Sequence, residues 1–211
     1  MEHGFWHEKW EENEIGFHQP KPHPQLVRYL PELKLAPGAR VFLPLCGKTL
    51  DIHWLLAEGF EVIGAELSEL AITQLFEELG VEPEITETDR LKLYAANKIT
   101  IFVGDIFALT ADDLGPIDAI YDRAALVALP DDMRAAYAKH LPIITGTAPQ
   151  LLISFDYDQS VMPGPPFSVP ETSVRAFYDE TYAITRLASA PVKGGLKGFC
   201  PAEEGVWLLK A

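Results

Sequence analysis

VFLPLCGKTLDIHWLL (residues 41–56) decides the fold. It reads as a short apolar strand, a loop with one glycine, and a helix with Leu50, Trp54 and Leu55 on one face. That order opens a nucleotide-binding α/β domain, but the usual glycine-rich loop is missing. A dinucleotide site needs G-x-G-x-x-G, which is absent here. Gly47-Lys48-Thr49 resembles the end of a phosphate-binding G-x-x-x-x-G-K-[ST] loop, yet position 42, where its first glycine belongs, is Phe42. Without that glycine the loop amides cannot wrap round a phosphate in the usual way. The stretch therefore points to a ligand that needs no phosphate cradle.

Outward from this stretch, strands and helices alternate. Residues 39–45, 61–67, 99–105, 117–122 and 151–157 read as strands, and 49–58, 68–80, 131–140 and 172–180 as helices. In the second helix Ser68 is the cap, Leu70, Leu75 and Leu79 face the core, and Gly80 is the stop. Residues 82–98 are polar and irregular, with room for one extra short strand at LKLYA. Residues 158–169 form a proline-rich loop, and YAITRLAS with GVWLLK forms a closing antiparallel pair. This order argues a doubly wound, mostly parallel α/β sheet in a single domain spanning 1–211. Residues 1–36 are an N-terminal extension in which Trp6 and Trp10, four apart, share a helix face before Pro20, Pro22 and Pro24 break the chain.

The chain has 211 residues and a formal net charge of −14. Such a field repels phosphate backbones and anionic membranes, so the expected partner is a small molecule rather than nucleic acid or lipid. No window is apolar for the roughly 18 residues that a membrane span needs. The acidic, aromatic N-terminus lacks the pattern of a secretory signal. A cytoplasmic monomer is expected. Cys46 and Cys200 are expected as reduced thiols, and no histidine, cysteine and acid set completes a metal site.

Ligands of such sheets bind beyond the carboxyl ends of the strands. There, Glu66 follows the second strand, 19 residues after Gly47. An acid about 20 residues past the loop accepts hydrogen bonds from ribose hydroxyls; the competing role is a carboxylate at the next helix's N-terminus, although Ser68 already fits that cap. Asp105 and Ile106 follow the third strand, placed to meet an adenine edge and pack on its ring, or simply to turn the chain. Arg123 follows the fourth, beside Asp122. Its guanidinium suits a cofactor carboxylate, an anionic substrate or a local salt bridge. A ribose acid, one glycine, no phosphate cradle and an arginine together fit a nucleoside carrying an amino-acid tail, as in S-adenosylmethionine.

These pieces resemble the bacterial thiopurine S-methyltransferases. The resemblance is carried by WHEKWEENEIGFHQ (6–19), VFLPLCGKTLDIHWL (41–55), GAELSE (64–69), GDIF (104–107), YDRAALVAL (121–129) and DYDQSVMPGPPFSV (156–169). It implies the class I methyltransferase fold, Rossmann-like, with a seven-stranded sheet that has one antiparallel strand. It implies cofactor contacts at Trp10, Leu45, Glu66, Ile106 and Arg123, and an N-terminal helical lid with Phe17 near the substrate. The sequence departs at His23, where the family is expected to have asparagine, and in KGGLKGFCPAEEG, where Lys193 and Lys197 are the only basic candidates.

The implied reaction moves a methyl group from a sulfonium to an aromatic or heterocyclic thiol such as a thiopurine. Aromatic thiols ionise readily, so rate comes mainly from alignment and exclusion of water, and no strong base is required. No catalytic residue is assigned. Methylation of selenium or tellurium oxyanions, a nucleotide-dependent kinase or NTPase, and a non-catalytic nucleoside-binding module are the competing readings.

Overall fold

The computed structural model of the protein describes residues 3–16 and 18–211. In chain order its elements are α1 (His3–Glu11), α2 (Pro24–Tyr29), β1 (Arg40–Leu43), α3 (Leu50–Ala57), β2 (Glu61–Glu66), α4 (Glu69–Leu79), β3 (Glu84–Glu87), β4 (Lys92–Ala96), β5 (Ile99–Val103), α5 (Ala111–Leu114), β6 (Ala119–Arg123), α6 (Asp131–Thr145), β7 (Gln150–Tyr157), α7 (Glu171–Tyr178), β8 (Ala183–Pro191) and β9 (Ala202–Lys210).

The strands form one sheet in the order β3-β4-β5-β2-β1-β6-β7-β9-β8. β5, β2, β1, β6 and β7 are parallel, while β9 runs against both β7 and β8. The expected seven-stranded sheet with one antiparallel strand is therefore present from β5 to β8, but the complete sheet has nine strands. The extra pair is the β3–β4 hairpin, which adds to the edge of β5 with Tyr94 opposite Ile101. One of the pair, β4, is the extra short strand expected at LKLYA; the sequence hides only β3, because every residue of β3 is exposed and an edge strand needs no apolar run.

Alternation along the strands divides the core. Val41 and Leu43 point to one face with Val62, Ile101 and Leu151, and Phe42 points to the other with Ile63, Ile120 and Leu152. Leu26, Ile52, Leu55, Ile72 and Leu75 cover the first face from α2, α3 and α4. Leu114, Tyr137, Leu141 and Val174 cover the second from α5, α6 and α7. Burial on both sides is why these strands read as continuous apolar runs.

In α4 the buried stripe is Ala71, Ile72, Leu75 and Phe76, whereas Leu70 is 40% exposed and does not face the core. The Ser68 hydroxyl accepts from the Ala71 amide at 3.3 Å and so fixes the phase of the helix. α6 runs on past His140 to Thr145, because Leu141 and Ile144 continue its buried stripe. Leu26, Leu30 and Leu33 are buried in the core, so that part of residues 1–36 is anchored. Among the described residues no helix is long and apolar enough to cross a membrane.

Chain order reverses between β1 and β6. β1, β2 and β5 step one way across the sheet, and β6 and β7 step the other. The crevice beyond that switch point is where such folds bind ligands.

Candidate active site

A cleft of about 660 Å³ opens at this switch point. Its floor is the strand ends and the loops that follow them, and its roof is drawn from residues 5–16 and 18–19.

The loop after β1 turns sharply. Leu45 and Gly47 both take positive φ, at 45° and 52°. For leucine this region is costly, and it persists only where the surroundings hold it. They do so here. The Cys46 amide donates to the Ala65 carbonyl at 3.0 Å, and the Gly47 amide donates to Glu66 Oε2 at 2.7 Å. The loop can lie this close to β2 because residue 64 is glycine. A Cβ there would stand 2.5 Å from Ile101 Cδ1 and 2.9 Å from Cys46 Sγ.

Glu66 Oε1 accepts from the Ser68 amide at 2.9 Å. A carboxylate offers about four lone-pair positions, and these two bonds leave acceptor capacity at the cleft. Burial pushes the Glu66 carboxyl up, while the Ser68 and Gly47 amides pull it back. The Ser68 side chain takes the capping role, so Glu66 is free to serve the loop and the cleft.

After β5, Gly104 carries φ of 144°, and a Cβ would lie 2.7 Å from Leu91 Cδ2 of the β3–β4 hairpin. Asp105 Oδ1 then accepts from the Phe107 amide at 2.9 Å, which turns the chain and sets buried Ile106 in the cleft wall. The Ile106 carbonyl is held at 2.9 Å by His140 Nε2 of α6.

At the end of β6, Asp122 and Arg123 serve opposite faces of the sheet. Asp122 is fully buried and accepts from the Leu126 amide at 3.1 Å and the Tyr137 hydroxyl at 2.8 Å. Burial pushes its pKa up to about 6, against the pull of those donors. Arg123 lines the cleft.

Below the cleft lies a buried polar network. Asp51 accepts from the His23 amide at 2.6 Å and from the Tyr121 hydroxyl at 3.1 Å. His23 Nε2 lies 3.3 Å from Glu204 Oε2, and Gln25 Nε2 donates to Glu204 Oε1 at 2.8 Å. His23 Nδ1 accepts from the Gln25 amide at 3.3 Å and so caps α2, the work a capping asparagine would do. The network ties the end of the roof segment to α3, β6 and β9.

Trp10, Leu45, Glu66, Ile106 and Arg123, singled out from sequence, all line this one cleft. Phe17 lies outside the described residues. Of the two basic candidates near the C-terminus, Lys197 lines the cleft, from a backbone with φ of 52°, and Lys193 is exposed beyond it. Sequence reading weighed Lys48 only as part of a phosphate loop, and it missed His18 and an apolar wall of Val127, Met133, Phe155, Pro165 and Pro166. The groups a bound phosphate would need are engaged elsewhere. The Gly47 amide faces Glu66, and Lys48 Nζ donates to Glu78 at 2.6 Å.

This architecture is that of a class I S-adenosylmethionine-dependent methyltransferase. Among solved structures it is similar to the Burkholderia thailandensis 1,6-didemethyltoxoflavin-N1-methyltransferase, which holds 1,6-didemethyltoxoflavin and S-adenosylhomocysteine. That match has a TM-score of 0.67 at 13% identity and covers 99% of this chain and 87% of that one. The magnesium protoporphyrin IX methyltransferase of Synechocystis, with bound S-adenosylhomocysteine, matches at a TM-score of 0.59 and 18% identity over 89% of this chain and 81% of that one.

Residues 1–203 match the model of the family described as Thiopurine S-methyltransferase (TPMT). The chain is 57% identical to the thiopurine S-methyltransferase of Xanthobacter autotrophicus, over 100% of this chain and 99% of that protein. It is 52% identical to that of Gluconobacter oxydans, over 96% and 92%. The chain belongs to the thiopurine S-methyltransferase family and is an S-adenosylmethionine-dependent methyltransferase.

Proposed function

We propose that the protein methylates the sulfur of aromatic or heterocyclic thiols, of which thiopurines are one kind. The observation that carries this reading is the division of one cleft into two halves. One half is polar and centred on the clamped Glu66, and the other is the apolar wall from Val127 to Pro166.

The donor set suits S-adenosylmethionine. Glu66 offers acceptor capacity to ribose hydroxyls, Ile106 an apolar surface to adenine, and Arg123 a guanidinium to the amino-acid carboxylate. Leu45 and Trp10 would close the remaining sides, with the roof segment acting as a lid. When bound, the cofactor supplies an electrophilic methyl group on sulfonium sulfur. The apolar wall receives a planar ring and excludes water. Holding the two sulfurs in line supplies much of the rate.

Calorimetry with S-adenosylhomocysteine, with ATP–magnesium as control, tests the cofactor. Mass spectrometry of products from aromatic thiols, selenite and tellurite tests the acceptor. Methylated thiols support the reading, and methylation of the oxyanions alone overturns it.

A further inference from the structure

Among the described residues His18 is the one histidine that lines the cleft. Its neighbours in kind are otherwise employed or elsewhere: His23 caps α2 and meets Glu204, and His140 holds the Ile106 carbonyl. The backbone of His18 is pinned by its amide, which donates to the Ile15 carbonyl at 2.7 Å. Its ring is part-buried, and no described residue takes its ring nitrogens in a hydrogen bond. An imidazole fixed in a substrate cleft with its nitrogens unclaimed is placed to exchange a proton with whatever enters.

We propose that His18 is a catalytic residue, the general base that takes the proton of the acceptor thiol. The assignment rests on the thiol reading above and adds to it. The S–H bond breaks and its proton passes to an imidazole nitrogen. The electron pair left on sulfur forms the new S–CH₃ bond as the bond from methyl carbon to sulfonium breaks. That bond's pair returns to the cofactor sulfur, leaving a neutral thioether. The imidazolium then gives its proton to solvent.

The surroundings favour this direction. Burial, and then Lys48 after β1, hold the imidazole below the ordinary histidine range; Arg123 on β6 and His53 on α3 act in the same sense, and Glu78 on α4 opposes them. The ring is therefore neutral, and able to accept, at neutral pH. The same cations also stabilise a thiolate, which brings the pKa of the thiol down towards that of the imidazole and keeps the proton transfer within reach. An already ionised thiol has no need of the base. The residue thus widens the acceptor range towards less acidic thiols.

The test compares wild type with His18→Asn across thiols of graded acidity, with His18→Gln as a second variant should the first fold poorly. The expected loss of kcat/KM grows with thiol pKa, from a few-fold for ionised thiols to roughly 100-fold for the least acidic. With a weakly acidic thiol, the wild-type rate is flat above neutral pH. The variant's rate climbs tenfold per pH unit up to the pKa of the free thiol. Absorbance of an aromatic thiol bound together with S-adenosylhomocysteine gives a readout without turnover. The bound thiol ionises at lower pH in wild type than in the variant. Affinity for S-adenosylhomocysteine stays within about twofold. Equal losses for all thiols, no loss, or a parallel collapse of S-adenosylhomocysteine binding in both variants would overturn the assignment. A wild type that methylates no thiol at all would overturn the underlying reading with it, and is distinguished by needing no variant.

Discussion

The Gly47 amide and the Glu66 carboxylate are joined at 2.7 Å, so the loop after β1 and the end of β2 form one unit. The acid orders the loop with one oxygen and meets the Ser68 amide with the other. Its position at the cleft is therefore set before any ligand arrives.

Glu66→Gln breaks this unit. An amide has one acceptor oxygen, so its NH₂ must face either the Gly47 or the Ser68 amide, donor against donor. S-adenosylhomocysteine affinity should fall about 10- to 100-fold, and stability by about 1–3 kcal/mol. Calorimetry and urea unfolding read the two effects. Unaltered affinity would return Glu66 to a purely structural role.

Arg123→Ala should weaken S-adenosylhomocysteine binding by one to two orders of magnitude, roughly what the loss of a charge-assisted pair costs. Adenosine, which has no carboxylate, should bind both proteins alike. If adenosine affinity fell in parallel, Arg123 would be shaping the cleft and not meeting the tail.

Gly64→Ala places a methyl group against Ile101 and Cys46 in a close-packed core. A destabilisation of about 1–3 kcal/mol is expected. Ile101→Val removes the nearer clashing atom, so the double variant should lose less than the two single losses combined. Strict additivity in urea unfolding would show that the contact is harmless.

Asp122→Asn should change how stability depends on pH. The folded pKa of Asp122, about 6, is raised above the ordinary 3.8. Its stabilising contribution is thus complete below about pH 4 and lost as pH rises through about 6. A shift of about two units corresponds to about 3 kcal/mol. Measured against wild type, the amide variant should gain that much stability between pH 4 and 7. A gap that stays constant across that range would rule out a buried, titrating Asp122.

The strands at the centre of the sheet were legible because both of their faces are buried, as Val41, Phe42 and Leu43 illustrate. At the edge, β4 was legible at LKLYA but its partner β3 was not, since Ile85 is 55% exposed and that strand carries no alternation to read. At the site, the spacing of Gly47 and Glu66 reports a local crossover and could be found. The link from Gln25 to Glu204 spans 179 residues and leaves no local mark. His18 escaped for a related reason. A lone histidine in a loop has no period or partner in sequence, and only the folded chain brings Lys48, Arg123 and Glu78 around it.

Of the chain's four tryptophans, Trp6 and Trp10 ride on α1 and border the cleft, while Trp54 packs on the core from α3 and Trp207 is fixed in β9. Trp10 is only 4% exposed in this arrangement. Any departure of the roof would move its indole from burial into water, shifting its emission to the red, with Trp54 and Trp207 as a constant background. The protein therefore carries its own optical clock. Stopped-flow fluorescence can time the admission of cofactor and the escape of product without a label, and can show whether turnover waits on the roof or on the chemistry beneath it.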